Sequence, residues 1–220
     1  MFLINPYILQ ASGNPLWNDL LAYYTADNTP NDALGNYNGT LVNGATYGTG
    51  IINQGFSFDG VNDYVQLDAS LSGFSNTQPH TYSAWINTSS GSEQWVINNC
   101  GSGSGTALVV WVDKVYFWFA GQNYYTNSIS TITRNALQYI CVTYDGFGNI
   151  SFYINGSLDV VRTTAVTWTA TGVNRSPRLG SKYNSTKFVN GVIDEVGIWD
   201  RELTASEVTE LYNSGAGLQY

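Results

Sequence analysis

The stretch that decides the fold runs from Phe188 to Tyr212 and reads FVNGVIDEVGIWDRELTASEVTELY. Its segment 192–199 is almost wholly apolar, as in a strand that is buried on both faces. Thr204 stands three residues before Glu207, which is the spacing of a capping box at the start of a helix. The stretch therefore predicts a buried strand followed directly by a short helix.

Further signals mark the two ends of this helix. Leu203 and Val208 occupy the positions of a hydrophobic staple, which fixes the direction in which the chain enters the helix. The spacing of Val208, Leu211 and Tyr212 gives one apolar face, and Gly215 marks the end. We therefore expect the helix to pack on the body of the protein through these three side chains.

The strand and helix resemble the laminin G-like jelly rolls of the concanavalin A-like lectin and glucanase superfamily. Four other stretches resemble the family in the same order, namely an early strand with its turn, the next core strand and the two halves of a central hairpin: 56–65, 81–86, 139–146 and 152–156. The resemblance covers roughly residues 20 to 213, and Leu137 departs from it where the family usually carries Trp. It implies an all-β fold, a concanavalin A-like jelly-roll β-sandwich of two antiparallel sheets with one short C-terminal helix.

Length and composition agree with one large β-sandwich. The chain has 220 residues, 15% of them aromatic and 11% charged, and a net charge of −8. Eight scattered basic residues do not form the cationic surface that nucleic acid or an anionic membrane requires. A surface made polar mainly by amides and hydroxyls favours neutral polar ligands instead.

The first residues are apolar, but they are not typical of a secretory leader. Residues 1–10 read MFLINPYILQ, without a basic start or a small-residue cleavage site. We predict an N-terminal arm at 1–16 and the jelly-roll domain at 17–220. Two interpretations of the opening segment remain open: a first edge strand or frayed terminus, or an arm that attaches the chain to a partner protein.

A hairpin is predicted within residues 108–121. With Asp113 and Lys114 as its two-residue turn, Val112 would pair with Val115 and Trp111 with Tyr116. Alternation along the strands then gives a core face, made of Val110, Val112, Val115, Phe117 and Phe119. The opposite face carries Trp111, Tyr116 and Trp118.

This aromatic face is the candidate glycan-binding site, and Tyr124 and Tyr125 follow it closely. Aromatic rings cover the apolar C–H faces of sugars, while amides and hydroxyls bond the sugar hydroxyl groups. The predicted contact residues are Trp111, Tyr116, Trp118, Tyr124 and Tyr125. The alternative is that a second sheet or a loop covers these rings as part of a core.

The resemblance also implies a metal. Many jelly rolls of this superfamily hold one structural Ca²⁺ through carboxylates and backbone carbonyls, since hard oxygen ligands can join distant loops. Asp194 matches the acidic position of the family's last strand, and Asp32 could supply a second carboxylate. We therefore expect one structural calcium ion, if any cofactor, with Asp32 and Asp194 as its ligands.

Catalytic patterns are missing from the sequence. Hydrolases of the superfamily carry Glu-x-Asp-x-x-Glu on one strand, and this pattern does not occur. Asp194 and Glu195 are neighbours, so regular alternation would point them to opposite faces. His80 is the only histidine and is predicted to be exposed in a loop after Pro79. The sequence therefore predicts a protein that is not an enzyme.

Cys100 and Cys141 are the only thiols. Two cysteines do not make a disulfide framework, and Cys141 lies in a predicted buried strand. Whether the two residues pair is open at this point.

The setting of the domain is inferred by analogy. A chain that begins at its own Met without a leader fits a bacteriophage virion protein, such as a head fibre, a capsid decoration or a tail accessory. We expect it on the exposed virion surface, bound to other virion proteins through residues 1–16 and able to bind host or environmental glycans. Two alternatives are open: a free or surface-attached extracellular lectin module of a bacterium, or a glycoside hydrolase. Homo-oligomers fit either non-catalytic setting.

Overall fold

The computed structural model describes residues 13–68, 71, 77–101, 104–119, 124–165 and 177–220, without the side chains of Ser104 and Tyr124. The elements in these residues are strands, one α-helix and two short 3-10 helices. The strands are Leu20–Tyr24 (β1), Gly39–Val42 (β2), Thr46–Thr49 (β3), Gln54–Asp59 (β4), Tyr64–Leu67 (β5), His80–Thr88 (β6), Gln94–Gly101 (β7), Ser104–Trp111 (β8), Lys114–Phe119 (β9), Tyr124–Asn127 (β10), Gln138–Tyr144 (β11), Asn149–Ile154 (β12), Ser157–Thr163 (β13), Arg178–Leu179 (β14) and Asn190–Trp199 (β15). The α-helix is Ala205–Tyr212 (α1), and the 3-10 helices are Pro15–Trp17 and Asn213–Gly215.

The strands form two sheets in which neighbours pair antiparallel. The first sheet has the order β13-β12-β11-β6-β15-β4-β3, and β1 pairs with the second half of β15 beside β4. The second sheet has the order β10-β9-β8-β7-β14-β5-β2. The predicted sandwich of two antiparallel sheets with a short C-terminal helix is confirmed.

The main core lies between the two sheets. Ile140 and Phe152 from the first sheet belong to the same buried cluster as Leu108 and Phe117 from the second. Each of these side chains alternates with one that points away from the core, as period-two strands require. The outer face of each sheet carries a further cluster, one around Trp199 and one around Trp95.

The helix α1 covers the outer face of the first sheet. The amide of Glu207 donates to Thr204 Oγ1 at 3.3 Å and the amide of Thr204 donates to Glu207 Oε2 at 2.8 Å, which confirms the capping box. Leu203, Val208 and Leu211 are buried in the cluster around Trp199. Within the ranges given above, no helix combines the length and the apolar character that crossing a membrane would take.

The predicted arm is described only in its last residues, because residues 1–12 lie outside the described part of the chain. Leu16 is buried in the outer cluster of the first sheet, and its carbonyl oxygen accepts from Trp199 Nε1 at 2.9 Å. Residues 14–17 thus pack on the body of the domain. The boundary between residues 16 and 17 stays a prediction.

The central strand β15 contains a bulge that the sequence analysis did not foresee. Ile193, Val196 and Ile198 all lie in the main core. Two residues separate Ile193 from Val196, whereas regular alternation would leave only one between neighbouring core residues. The register shift lies between Asp194 and Gly197, and Glu195 has a φ of 46°. The side chains of Asp194 and Glu195 therefore both lie on the outer face of the sheet, and the prediction that they point to opposite faces was wrong.

His80 is wholly buried rather than exposed in a loop. It begins β6, and alternation places it in line with Tyr82, so its ring lies 5.5 Å from the rings of both Tyr82 and Phe117. Burial lowers the pKa of His80 to about 4. The loop prediction was wrong because the strand begins directly after Pro79.

The two cysteines are buried on different sheets. Cys100 belongs to the outer cluster of the second sheet, whereas Cys141 belongs to the outer cluster of the first. The main core separates these clusters, so the two residues do not form a disulfide bond.

Candidate functional site

The hairpin that carries the candidate site has a different turn from the one predicted. Val112 and Asp113 form the turn, with φ of 49° and 60°, and Trp111 pairs with Lys114. Arg134 holds Asp113 through hydrogen bonds of 2.6 and 2.8 Å, and Ile132 donates its amide to the Asp113 carbonyl oxygen. The predicted register was wrong because this contact comes from a distant loop.

The error moves the register by two residues, which leaves each paired side chain on its expected face. Val115, Phe117 and Phe119 are buried in the main core, while Tyr116 and Trp118 are half-buried on the outer face. Val112 is the exception, since it lies in the turn with 58% of its surface exposed. Its assignment to the core face was wrong.

Four of the five predicted contact residues come together on the outer face of the second sheet. Trp118 and Tyr125 stack with ring centroids 4.9 Å apart and an interplanar angle of 13°. Trp111 and Tyr125 each lie 5.6 Å from Tyr116. We call Trp111, Tyr116, Trp118 and Tyr125 the aromatic cluster; the side chain of Tyr124 lies outside the described residues.

Trp95, which was not among the predicted site residues, packs beneath the aromatic cluster. Its ring lies 5.6 Å from the ring of Trp118, and its Nε1 donates to Glu93 Oε1 at 2.8 Å. Trp95 is wholly buried beside Ala107 and Val109, small side chains that leave room for the indole. No local signal identifies Trp95, because its neighbours come from β8 and β9.

The aromatic cluster is packed but open to solvent. Tyr125 exposes 42% of its surface, while Trp111, Tyr116 and Trp118 are half-buried. Since Tyr125 stacks on Trp118, this pair acts as one rigid unit with an exposed outer side. The rings thus combine features of both interpretations, the covered core and the glycan-binding face, because they pack on each other and still present aromatic surface to water.

A tight turn borders the aromatic cluster at residues 182–186. The amide of Lys182 donates to the Thr186 carbonyl oxygen at 3.0 Å, and the Lys182 Nζ atom lies over two rings of the outer face. Its distance is 4.9 Å from the centroid of Trp95 and 5.6 Å from that of Trp118. Lys182 was not among the predicted site residues, since β14 and β15 bring the turn to the hairpin only in the folded chain.

The first predicted calcium ligand, Asp32, braces its own loop. Its Oδ1 accepts from the amides of Tyr23 at 2.8 Å and Leu34 at 3.2 Å, and its Oδ2 accepts from those of Asn36 at 3.0 Å and Tyr37 at 3.2 Å. Four amides therefore surround this carboxylate. A cation at Asp32 would have to displace them.

The carboxylate oxygens of the second predicted ligand, Asp194, are also occupied by backbone amides. Its Oδ2 accepts from the amides of Ile51 at 2.8 Å and Ile52 at 3.2 Å, and its Oδ1 accepts from that of Glu195 at 2.8 Å. In the described ranges no three His, Cys, Asp or Glu side chains are grouped to hold a metal. These carboxylates do not fit a calcium site well, and the ion stays a prediction that a lowered Tm in chelator would support.

The acidic pair on β15 is buried. Asp194 is 0% exposed and Glu195 is 2% exposed, beneath the C-terminal residues and Tyr23. Burial raises the pKa of Asp194 to about 7, and burial together with the Asp194 charge raises the pKa of Glu195 well above its ordinary value. Two carboxyl groups thus converge, but neither is open to a substrate.

Comparisons with known proteins agree with this fold. The laminin G family model of the concanavalin A-like lectin/glucanases superfamily matches residues 59–209. Domain 4 of AbnA, an extracellular GH43 arabinanase from Geobacillus stearothermophilus solved with arabinotriose, has a TM-score of 0.73 at 22% identity, covering 87% of this chain and 97% of that one. A search of curated proteins gave no significant match.

Two toxin domains are similar as well. The binding domain of Paraclostridial Mosquitocidal Protein 1 has a TM-score of 0.69 at 20% identity, covering 91% of this chain and 53% of that one. The botulinum neurotoxin serotype D binding domain has a TM-score of 0.68 at 16% identity, covering 89% and 51%. This chain spans about half of those two domains, and at such identities the likeness shows the fold alone. With the family model matching 59–209, the chain belongs to the concanavalin A-like lectin/glucanases superfamily.

Proposed function

We propose that the chain is a non-catalytic carbohydrate-binding domain whose aromatic cluster contacts the glycan. The observation that carries this proposal is the gathering of Trp111, Tyr116, Trp118 and Tyr125 on one outer sheet face, where they remain partly exposed. Aromatic surface in contact with water is unfavourable unless a partner covers it. The similar arabinanase domain, whose structure holds arabinotriose, supports a sugar as that partner.

The chemistry of the aromatic cluster suits a sugar. Indole and phenol rings pack against the C–H face of a pyranose or furanose, and their polar ends remain available for its hydroxyl groups. Stacking of Trp118 on Tyr125 holds both rings in place before a ligand arrives, which lowers the entropy lost on binding. The paired strands beneath the rings also restrict their motion and so lower the entropy lost on binding.

A glycan array tests the proposal directly. The double variant Trp111→Ala and Tyr125→Ala should lose at least about tenfold in affinity, since each ring can contribute about 1 kcal/mol or more to a stacked contact. Phe147→Ala is the matched control, because Phe147 is 93% exposed at the turn between β11 and β12, away from the aromatic cluster. Equal retention by the double variant and the unmodified protein would reject the aromatic cluster as the binding surface.

The absence of catalysis is part of the proposal. A glycosidase needs two carboxyl groups that reach the same glycosidic bond. Asp194 and Glu195 are close enough to interact electrostatically, but they are buried, and Asp194 accepts hydrogen bonds from backbone amides. We expect no release of reducing sugar from polysaccharides; release that Asp194→Asn abolishes would instead establish a hydrolase.

We also propose a bacteriophage virion as the setting, with the domain on the exposed surface and residues 1–16 attaching it to other virion proteins. The apolar segment 2–9 supports an attachment role. Deletion of residues 1–12 should then move the protein from sedimented particles to the supernatant. A free or surface-attached extracellular lectin is the alternative, and it would bind glycans equally well after the deletion.

A further inference from the structure

We propose that the aromatic cluster selects acidic glycans, whose sugars carry carboxylate or sulfate groups, over neutral ones. This inference rests on the proposed glycan-binding function and names its ligand class. Two lysine side chains, Lys182 and Lys114, border the aromatic cluster without an acidic partner among the described ion pairs. Their charges are therefore available to a ligand.

Lys182 supplies the first charge. Its Nζ atom lies 4.9, 5.6 and 5.9 Å from the ring centroids of Trp95, Trp118 and Tyr183. The rings cover one side of the ammonium group with apolar surface, which leaves fewer waters to be displaced by an anion. An ammonium group held in this way can form a charge-assisted hydrogen bond to a carboxylate or sulfate oxygen.

The backbone that carries Lys182 is fixed by a second cation. Arg178 donates from its Nη1 to the Lys182 carbonyl oxygen at 3.3 Å and to Ser185 Oγ at 2.9 Å, and its guanidinium lies 4.1 Å from the ring centroid of Tyr64. Its Nε donates to the side-chain oxygen of Gln66, a neutral acceptor. Arg178 thus adds positive charge beside Lys182, and no carboxylate in the described residues is ion-paired with it.

Lys114 supplies a charge at the other end of the aromatic cluster. It begins β9 and pairs with Trp111 across the hairpin. Because Val115 and Phe117 point into the core, Lys114 shares the outer face with Tyr116 and Trp118. Four residues along a strand span about 13 Å, so Lys114 and the ring of Trp118 would meet different sugars of one chain.

Three other cations of the described residues are, by contrast, neutralised by acidic partners. Lys187, Arg134 and Arg201 form ion pairs with acidic side chains, at 3.3, 2.6 and 2.7 Å. The whole chain carries a net charge of −8, so it repels polyanions everywhere except where cations are concentrated. Anionic glycans would therefore be directed to the face that carries the aromatic cluster.

The experiment uses an array on which every acidic oligosaccharide has a neutral counterpart of the same skeleton: uronate and carboxyl-reduced, sialylated and desialylated, sulfated and desulfated. We expect retention on the acidic member of at least one pair, at least tenfold above its neutral counterpart. Titration calorimetry with that pair should show the preference lost in Lys114→Met with Lys182→Met, and retained in Lys182→Arg. Methionine keeps the apolar stem of the side chain, so the fold should persist, as equal melting temperatures would confirm.

Lys187→Met combined with Glu93→Gln is the matched control. Lys187 lies beside the same turn and is paired with Glu93, so removing both charges together leaves the local net charge, and therefore the preference, unchanged. Equal binding of acidic and neutral members that still depends on Trp111 and Tyr125 would overturn this inference and leave the proposed function intact. Retention of no glycan would overturn both.

Discussion

Replacement of Glu195 by Gln should stabilise the protein at neutral pH. The carboxyl group is 2% exposed, and neither of its oxygen atoms has a hydrogen-bond partner. The nearby Tyr23 hydroxyl donates instead to the Leu218 carbonyl oxygen at 2.8 Å. Burial, and then the charge of Asp194, raise the pKa of Glu195 well above its ordinary value of 4.5. Glutamine has nearly the same shape and cannot ionise.

The size of the effect follows from proton linkage. A carboxyl group that stays neutral in the folded chain and ionises near pH 4.5 in the unfolded chain lowers the free energy of unfolding by about 1.4 kcal/mol for each pH unit above 4.5. Because the folded pKa is raised, this loss is absent at lower pH and grows as the pH rises. At pH 7 the upper limit of this loss is about 3 kcal/mol, reached by a group that stays neutral throughout, and Glu195→Gln should recover the loss.

Urea unfolding followed by tryptophan fluorescence at pH 4.5, 6 and 7 measures the difference. The free energy of unfolding of Glu195→Gln should match that of the unmodified protein at pH 4.5 and exceed it increasingly as the pH rises, by up to about 3 kcal/mol at pH 7. Glu210→Gln, at an exposed position of α1, should change it by less than about 0.5 kcal/mol. A variant that is no more stable at pH 7, or a gain that does not change with pH, would refute the reasoning.

Two further predictions concern His80 and Val112. The pKa of His80 is lowered to about 4 by burial, so its contribution to stability is complete above pH 6.5 and declines by about 3 kcal/mol as the pH falls to 4. In His80→Asn the free energy of unfolding, measured with urea, should therefore fall less between pH 6.5 and 4. An equally steep fall would contradict the lowered pKa of His80. Val112 has a φ of 49° at an exposed turn position, where a β-branched residue is unfavourable. Val112→Asn should therefore raise the free energy of unfolding by about 1 kcal/mol, and a lower melting temperature would show that the turn is not strained.

Local patterns were sufficient for much of the fold. The capping box of Thr204 and Glu207 and the staple of Leu203 and Val208 lie within a few residues of each other, so their sequence spacing alone predicted α1. Alternation assigned Phe117 and Trp118 to opposite faces of β9, and this assignment survived the error in the hairpin register. A shift by two residues exchanges partners but not faces.

Contacts between distant segments were not predictable in the same way. The bond from Arg134 to Asp113 moves the turn, and the bulge at Glu195 turns two neighbouring carboxyl groups to one side. His80 was assigned to a loop because Pro79 precedes it, whereas packing against Phe117 makes it part of the core. For the turn and for His80, the deciding partner lies on another element of the fold.

The amino-acid sequence by itself determined the C-terminal helix and the set of aromatic residues on the hairpin, because these depend on periodicity and spacing within one segment. The class of fold also came from the sequence, through the resemblance of five ordered motifs to a known family. Only the tertiary structure decided that Trp95 supports the aromatic cluster, that Lys182 lies over it and that the acidic pair of β15 is buried. Burial and electrostatic environment depend on which strands become neighbours, and that arrangement comes from the packing of both sheets together.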